Sequence, residues 1–209
     1  MHLLSKCLSV TLVSLLLIVD QSKAEDELSP AERLISLLDG VSTMQARFEQ
    51  SSRTQEAQRG EIWLQKPNQF RLETQAPLSQ TIVSDGASMW TYDRDLEQVI
   101  ISTLSNRVEE LPILLLAGNA GELVDDYRVD FFEDEVQQFF LLQPLKEEGI
   151  LGRLSITFEA GLPIAVGVDT ATNERTIINL EVKNNINMSD DTFVFDMPEG
   201  IDVIDDRVE

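Results

Sequence analysis

Two neighbouring stretches decide the fold: Ile62-Trp-Leu-Gln-Lys-Pro-Asn-Gln-Phe-Arg-Leu-Glu-Thr74 and Gln80-Thr-Ile-Val-Ser-Asp-Gly-Ala-Ser-Met-Trp-Thr-Tyr-Asp93. Apolar and polar side chains alternate in both. That period of two belongs to half-buried strands, because successive side chains point to opposite faces of a sheet. Ser84-Asp85-Gly86 and Asp93-Arg94-Asp95 are hairpin turn signals. Pro67 and Pro77 suit strand ends, where a missing N–H costs no ladder bond. The stretches therefore read as consecutive antiparallel strands with one apolar face.

The same period extends outward. From Thr43, Met44, Ala46 and Phe48 alternate with Gln45, Arg47 and Glu49. Further strands are predicted near 60–66, 69–76, 79–84, 88–93, 96–102, 127–133, 137–143, 151–159, 163–170, 174–183 and 192–196. A helix precedes them. Ser29 is its N-cap, Pro30 its first residue, Glu32 completes a capping box, and Gly40 ends it as a C′ glycine. Leu34, Ile35, Leu37, Leu38 and Val41 form its apolar stripe. Two short helices interrupt the strands. One carries Leu111, Ile113, Leu114, Leu115 and Leu116 behind Glu109 and Glu110, and the other spans Ala120 to Tyr127. About eleven antiparallel strands with helices before and between them make one layer architecture, mainly β (α+β), in which the sheet curls and the helices cover its open mouth. No fixed-period repeat or composition break divides it.

The amino terminus reads as a secretory signal peptide. Lys6 is basic, Leu8 to Val19 is an apolar run, and Ser22-Lys23-Ala24 offers a cleavage site after Ala24. The run is too short to span a bilayer comfortably. The expected organisation is signal peptide 1–24 and a single domain 25–209, exported to the periplasm. The only Cys (Cys7) and the only His (His2) of the chain fall in the signal. The exported part then has no disulfide, no thiol nucleophile, no imidazole base and no His or Cys metal ligand. Loss of Lys6, Lys23 and Asp20 moves the net charge from −21 to −22. Such a charge argues against nucleic acid and anionic membrane surfaces. Salt adaptation explains it more readily than function does.

The acidic pairs Asp125-Asp126, Asp190-Asp191 and Asp205-Asp206, and the run Glu133-Asp134-Glu135, sit at turns or chain ends. They read as solvated turn residues rather than a glycosidase pair. Gly118-Asn-Ala-Gly121 lacks the lysine and spacing of a phosphate loop. No enzyme, metal or cofactor is expected.

A set of short motifs runs in order along nearly the whole exported chain: Phe48-x-Gln50, Lys66-Pro67-Asn68-x-Phe70, Gln80, Ser84-Asp85-Gly86, Trp90-x-Tyr92, Gln98, Pro112 with Leu115 and Leu116, Leu142-x-Pro144, and Phe193-x-Phe195-x-x-Pro198-x-Gly200-x-Asp202-Val203. Together they resemble the LolA family of periplasmic outer-membrane lipoprotein carriers. The resemblance implies an unclosed β-barrel with a helical lid, and no bond chemistry or cofactor. It implies a monomeric chaperone that takes acylated lipoproteins from the inner-membrane ABC transporter LolCDE to the outer-membrane acceptor LolB. A same-fold carrier of another lipid or glycolipid amphiphile is the alternative.

Alternation and the resemblance together nominate Met44, Ala46, Phe48, Phe70, Leu72, Trp90, Tyr92, Leu154, Ile156 and Phe158 as lining of an acyl cavity. They nominate Ile113, Leu114 and Leu116 as the lid face. The resemblance places an Arg directly before the Pro, holding the lid by hydrogen bonds. Lys66 stands there in this chain. It keeps the charge but not the planar fork of donors, so its service as a lid latch is an open expectation.

Overall fold

A computed structural model describes residues 28–54, 56–104, 112–146, 151–170, 174–184 and 186–207. The expected signal segment, and Glu109 to Leu111 of the expected lid helix, lie outside the described residues.

Helix α1 (Pro30–Asp39) starts as the sequence dictates. The Ser29 hydroxyl accepts from the Glu32 N–H, and the Glu32 carboxylate accepts from the Ser29 N–H at 2.8 Å. Its end differs from expectation. Gly40 keeps a right-handed φ of −63°, and its N–H and that of Val41 bond back to Ser36 and Leu38 carbonyls. Leu34 and Leu38 are the residues that α1 buries fully.

Among the described residues twelve strands follow: β1 (Thr43–Ser52), β2 (Gln58–Gln65), β3 (Gln69–Thr74), β4 (Gln80–Asp85), β5 (Ser88–Asp93), β6 (Gln98–Thr103), β7 (Tyr127–Glu133), β8 (Gln137–Pro144), β9 (Leu151–Glu159), β10 (Leu162–Thr170), β11 (Arg175–Asn184) and β12 (Asp202–Asp206). Between β6 and β7 lie a 3₁₀ turn, Pro112–Leu116, and helix α2 (Ala120–Asp125), capped by the Asn119 side chain on the Gly121 N–H at 2.9 Å.

All twelve strands form one sheet, ordered β12-β6-β5-β4-β3-β2-β1-β11-β10-β9-β8-β7. Strands β7 and β12 are its two edges, so the curled sheet does not close. Every pairing is antiparallel except β12 on β6. That parallel edge lies beyond every strand expected from the sequence, and the strand expected at 192–196 does not form. Those residues instead begin in a 3₁₀ turn, Asp190–Phe193, capped by Ser189, and Phe193 is buried. The chain then passes Pro198 and a left-handed Gly200 (φ 78°) before it pairs with β6. Phe193 and Phe195 make a strap across the sheet rather than a rung of it.

Candidate functional site

Cross-strand register assigns the faces, because directly paired residues share one. Ala46 pairs with Ile62, Ile62 with Leu72, Leu72 with Ile82 and Ile82 with Thr91. Met44, Leu64, Phe70, Ser84 and Met89 form the next row. Across β1 the rows continue through Phe48 and Leu180, then through Ile178, Val166, Ile156 and Phe140. These residues are the inner face, and all of them except Ser84 and Thr91 belong, with Leu154, Phe158, Leu142 and Val168, to one apolar cluster.

The nominated residues fall on both sides. Met44, Ala46, Phe48, Phe70, Leu72, Leu154, Ile156 and Phe158 share the inner cluster, and Ile113, Leu114 and Leu116 join them from above. Trp90 and Tyr92 do not. Trp90 pairs with Val83 and Ile101, and Tyr92 with Thr81 and Val99, so both point to the outer face. There Phe195 of the strap stacks on Trp90, with centroids 6.3 Å apart and planes 12° apart, and meets Tyr92 edge-on at 6.3 Å. On β5 the inward apolar residue is Met89, which is 2% exposed and has Thr91 beside it on the same face. Sequence reasoning also left out Ile62, Leu64, Phe140 and Leu180, although the period of two carries each of them.

The lid rests on this inner face. Ile113, Leu114, Leu115, Leu116 and Ala117 are all buried. Five consecutive buried apolar residues need a tight 3₁₀ turn with apolar surroundings on several sides. The Asn68 N–H, in the turn between β2 and β3, donates to the Ala117 carbonyl at 3.1 Å. Asn68 adopts a left-handed φ of 61°, which Asn tolerates better than most residues.

Two openings flank the lid. A cleft of about 590 Å³ has an apolar wall of Phe70, Leu104, Leu114, Leu115, Ala117 and Leu123, with Asn68, Asn119, Glu122 and Asp126 at its rim. At the far end a smaller hollow of about 200 Å³ lies among Phe48, Leu72, Ile82, Ile113 and Ile178, with Gln50, Gln58 and Gln80. The lid side chains fill the space between the two.

Lys66 contacts a different element from the one expected. Its Nζ donates to the Leu38 carbonyl at 2.9 Å and stands 3.8 Å from Asp39 Oδ1, at the end of α1. Its side chain is 15% exposed. Burial lowers the Lys66 pKa, and the Asp39 charge opposes the shift. The 3₁₀ lid itself is held by the neighbouring backbone at Asn68.

An open sheet with an apolar inner face under a small lid is the architecture that the motif set implies, and residues 39–196 match the sequence profile described as outer membrane lipoprotein carrier protein LolA. The chain belongs to the LolA family. An outer-membrane lipoprotein carrier protein of Chromohalobacter salexigens is 37% identical over 190 residues, covering 87% of this chain and 89% of the relative. One of Hahella chejuensis is 33% identical over 209 residues, covering 96% and 97%. Among solved structures, an uncharacterized conserved protein of Thermus thermophilus superposes with a TM-score of 0.58 at 12% identity, covering 85% of this chain and 99% of that one. That last likeness is one of fold alone. For this LolA-family chain the family match spans the strands that build the inner face and the lid above them.

Proposed function

We propose that this protein is a periplasmic carrier that shelters the acyl chains of lipoproteins between the inner and outer membranes. The observation that carries the reading is the seat of Ile113–Leu116 on the apolar inner face, with openings on both sides. The lid occupies the place that an acyl chain would take.

Magnitudes support an exchange. Moving a 16-carbon chain out of water is worth on the order of 12 kcal/mol at ~0.8 kcal/mol per CH₂. Burying four Leu or Ile side chains is worth roughly 6–12 kcal/mol. Because the two are of one order, cargo and lid can replace each other without either state becoming a trap. Met44, Met89, Leu and Ile suit such a lining because they repack. No step needs a cofactor or a catalytic residue.

Among the described residues no helix is long and apolar enough to cross a membrane. With signal peptide 1–24 removed, residues 25–209 would act in the periplasm as a single domain and a monomer. LolCDE would load the cargo and LolB would accept it. The match to outer-membrane lipoprotein carriers over most of the chain supports this reading over a carrier of another amphiphile.

The test adds the purified exported protein to inner-membrane vesicles that carry LolCDE and a labelled lipoprotein. ATP-dependent release of a soluble complex of carrier and acylated polypeptide is expected. Recovery of free lipid alone, with no acylated polypeptide, would overturn the reading.

A further inference from the structure

Among the described residues four hydroxyl side chains are buried in the sheet, and three of them have partners. The Thr74 hydroxyl accepts from the Gln80 N–H at 2.8 Å. The Thr81 hydroxyl meets the Arg94 guanidinium on the outer face. The Ser84 hydroxyl donates to the Asn68 carbonyl at 3.0 Å and accepts from the Gly86 N–H at 3.1 Å. The fourth, Ser102 Oγ, has no partner among the described residues, although Ser102 is only 3% exposed.

Its position is specific. Ser102 on β6 pairs with Met89, which pairs with Ser84, which pairs with Phe70. It therefore belongs to an inner-face row. Its chain neighbours Thr103 and Leu104, and Phe70 in its own row, line the 590 Å³ cleft beside the lid. A buried hydroxyl without a partner costs free energy that an alanine would not. An O–H in this place is an unmet donor in the face that cargo is proposed to occupy, although Ser102 itself does not line the cleft while the lid is seated.

We propose that Ser102 is a specificity-determining residue: its hydroxyl donates to a carbonyl oxygen at the root of an acyl chain, the ester or amide oxygen that joins chain to headgroup. The inference rests on the carrier reading. It adds that the site distinguishes acyl from alkyl chains of equal length. Apolar lining alone cannot make that distinction, because it measures area. A placed donor can.

The test compares dioctanoylglycerol with the matched dioctyl ether as competitors of a fluorescent acyl probe, on the wild-type protein and on Ser102→Ala. The ratio of ester to ether affinity in wild type, divided by that in the variant, is expected to be about fivefold, equivalent to about 1 kcal/mol. Ether affinity should be unchanged, and the unfolding midpoint of Ser102→Ala should be no lower than that of wild type. An equal ratio in both proteins, or equal weakening of both ligands, would overturn the role of Ser102 and leave the carrier reading standing. Failure of wild type to bind either ligand would overturn both.

Discussion

Lys66 Nζ reaches the Leu38 carbonyl at 2.9 Å and so ties the end of β2 to the last turn of α1. The helix has no basic residue of its own in that turn. Lys66 thus supplies a hydrogen-bond donor to a helix-end carbonyl, while burial disfavours its charged form. Lys66→Met keeps the length and removes the donor and the charge. It should lower stability by about 1–2 kcal/mol. Lys66→Arg should retain most of the contact. Urea midpoints of the three proteins, read at constant slope, check both statements.

The same lysine sets a pH dependence. Its folded pKa lies below the usual 10.5 because burial disfavours the charged form. The unfolded chain then holds a proton that the folded chain has released. Stability rises with pH across that interval. The gain is complete above 10.5 and lost as pH falls through the lowered folded value. Relative to Lys66→Met, wild type should gain stability as pH climbs from neutrality towards 10.5. A flat difference between the two across that range would remove the titration from the account.

The outer face offers a separate test. Phe195→Ala removes the ring stacked on Trp90. Loss of the aromatic pairs should cost about 0.5–1.5 kcal/mol beyond the lost area, and Trp90 emission should shift to the red. Because Trp90 and Tyr92 lie away from the lid, affinity for an acyl probe should not change. A marked loss of probe binding would return these two residues to the lining.

That face assignment marks the limit of what the sequence told. Alternation shows which residues travel together, such as Phe70 with Leu72 or Trp90 with Tyr92, but not which side they take. For β3 the choice is easy, because Gln69, Arg71 and Glu73 oppose the apolar set. For β5 both sets carry bulk, and the larger rings draw the choice away from Met89. The covering partner of Trp90 is Phe195, about a hundred residues further along the chain. Residues 193 and 195 alternate like a strand, yet their register with any neighbour is not encoded locally. The strap and the parallel β12–β6 edge are tertiary outcomes of that kind. The capping box of α1 is legible because all its atoms lie within four residues.

Gly60 tests the sheet itself. It lies on β2 opposite Phe48 and Thr74. A Cβ there would come within 2.1 Å of the Glu73 carbonyl oxygen and 2.8 Å of the Phe48 ring. Phe48 could turn aside, but the Glu73 backbone is fixed in the ladder. Gly60→Ala should therefore destabilise by about 1–3 kcal/mol, although alanine is the smallest substitution available. The drop should appear in the urea midpoint. An unchanged midpoint would mean that β2 and β3 separate there without cost.

Leu114 and Leu154 are both buried in the inner cluster, but they belong to different parts of the proposed cycle. Leu154 is a wall residue that stays in place whether the lid is seated or displaced. Leu154→Ala should cost about 2–5 kcal/mol of global stability. Leu114 contributes packing only while the lid is seated. Leu114→Ala weakens the closed state without weakening the open one, so a larger fraction of molecules is competent to bind. Apparent affinity is the intrinsic affinity multiplied by that fraction. If the truncation weakens lid seating by about 1.4 kcal/mol, affinity for a fluorescent acyl probe should rise as much as tenfold. Tighter binding by Leu114→Ala, set against no tightening by Leu154→Ala, is the expected pair of results. Weaker binding by both variants would mean that the segment Ile113–Leu116 is part of the fixed core rather than a cover that yields to cargo.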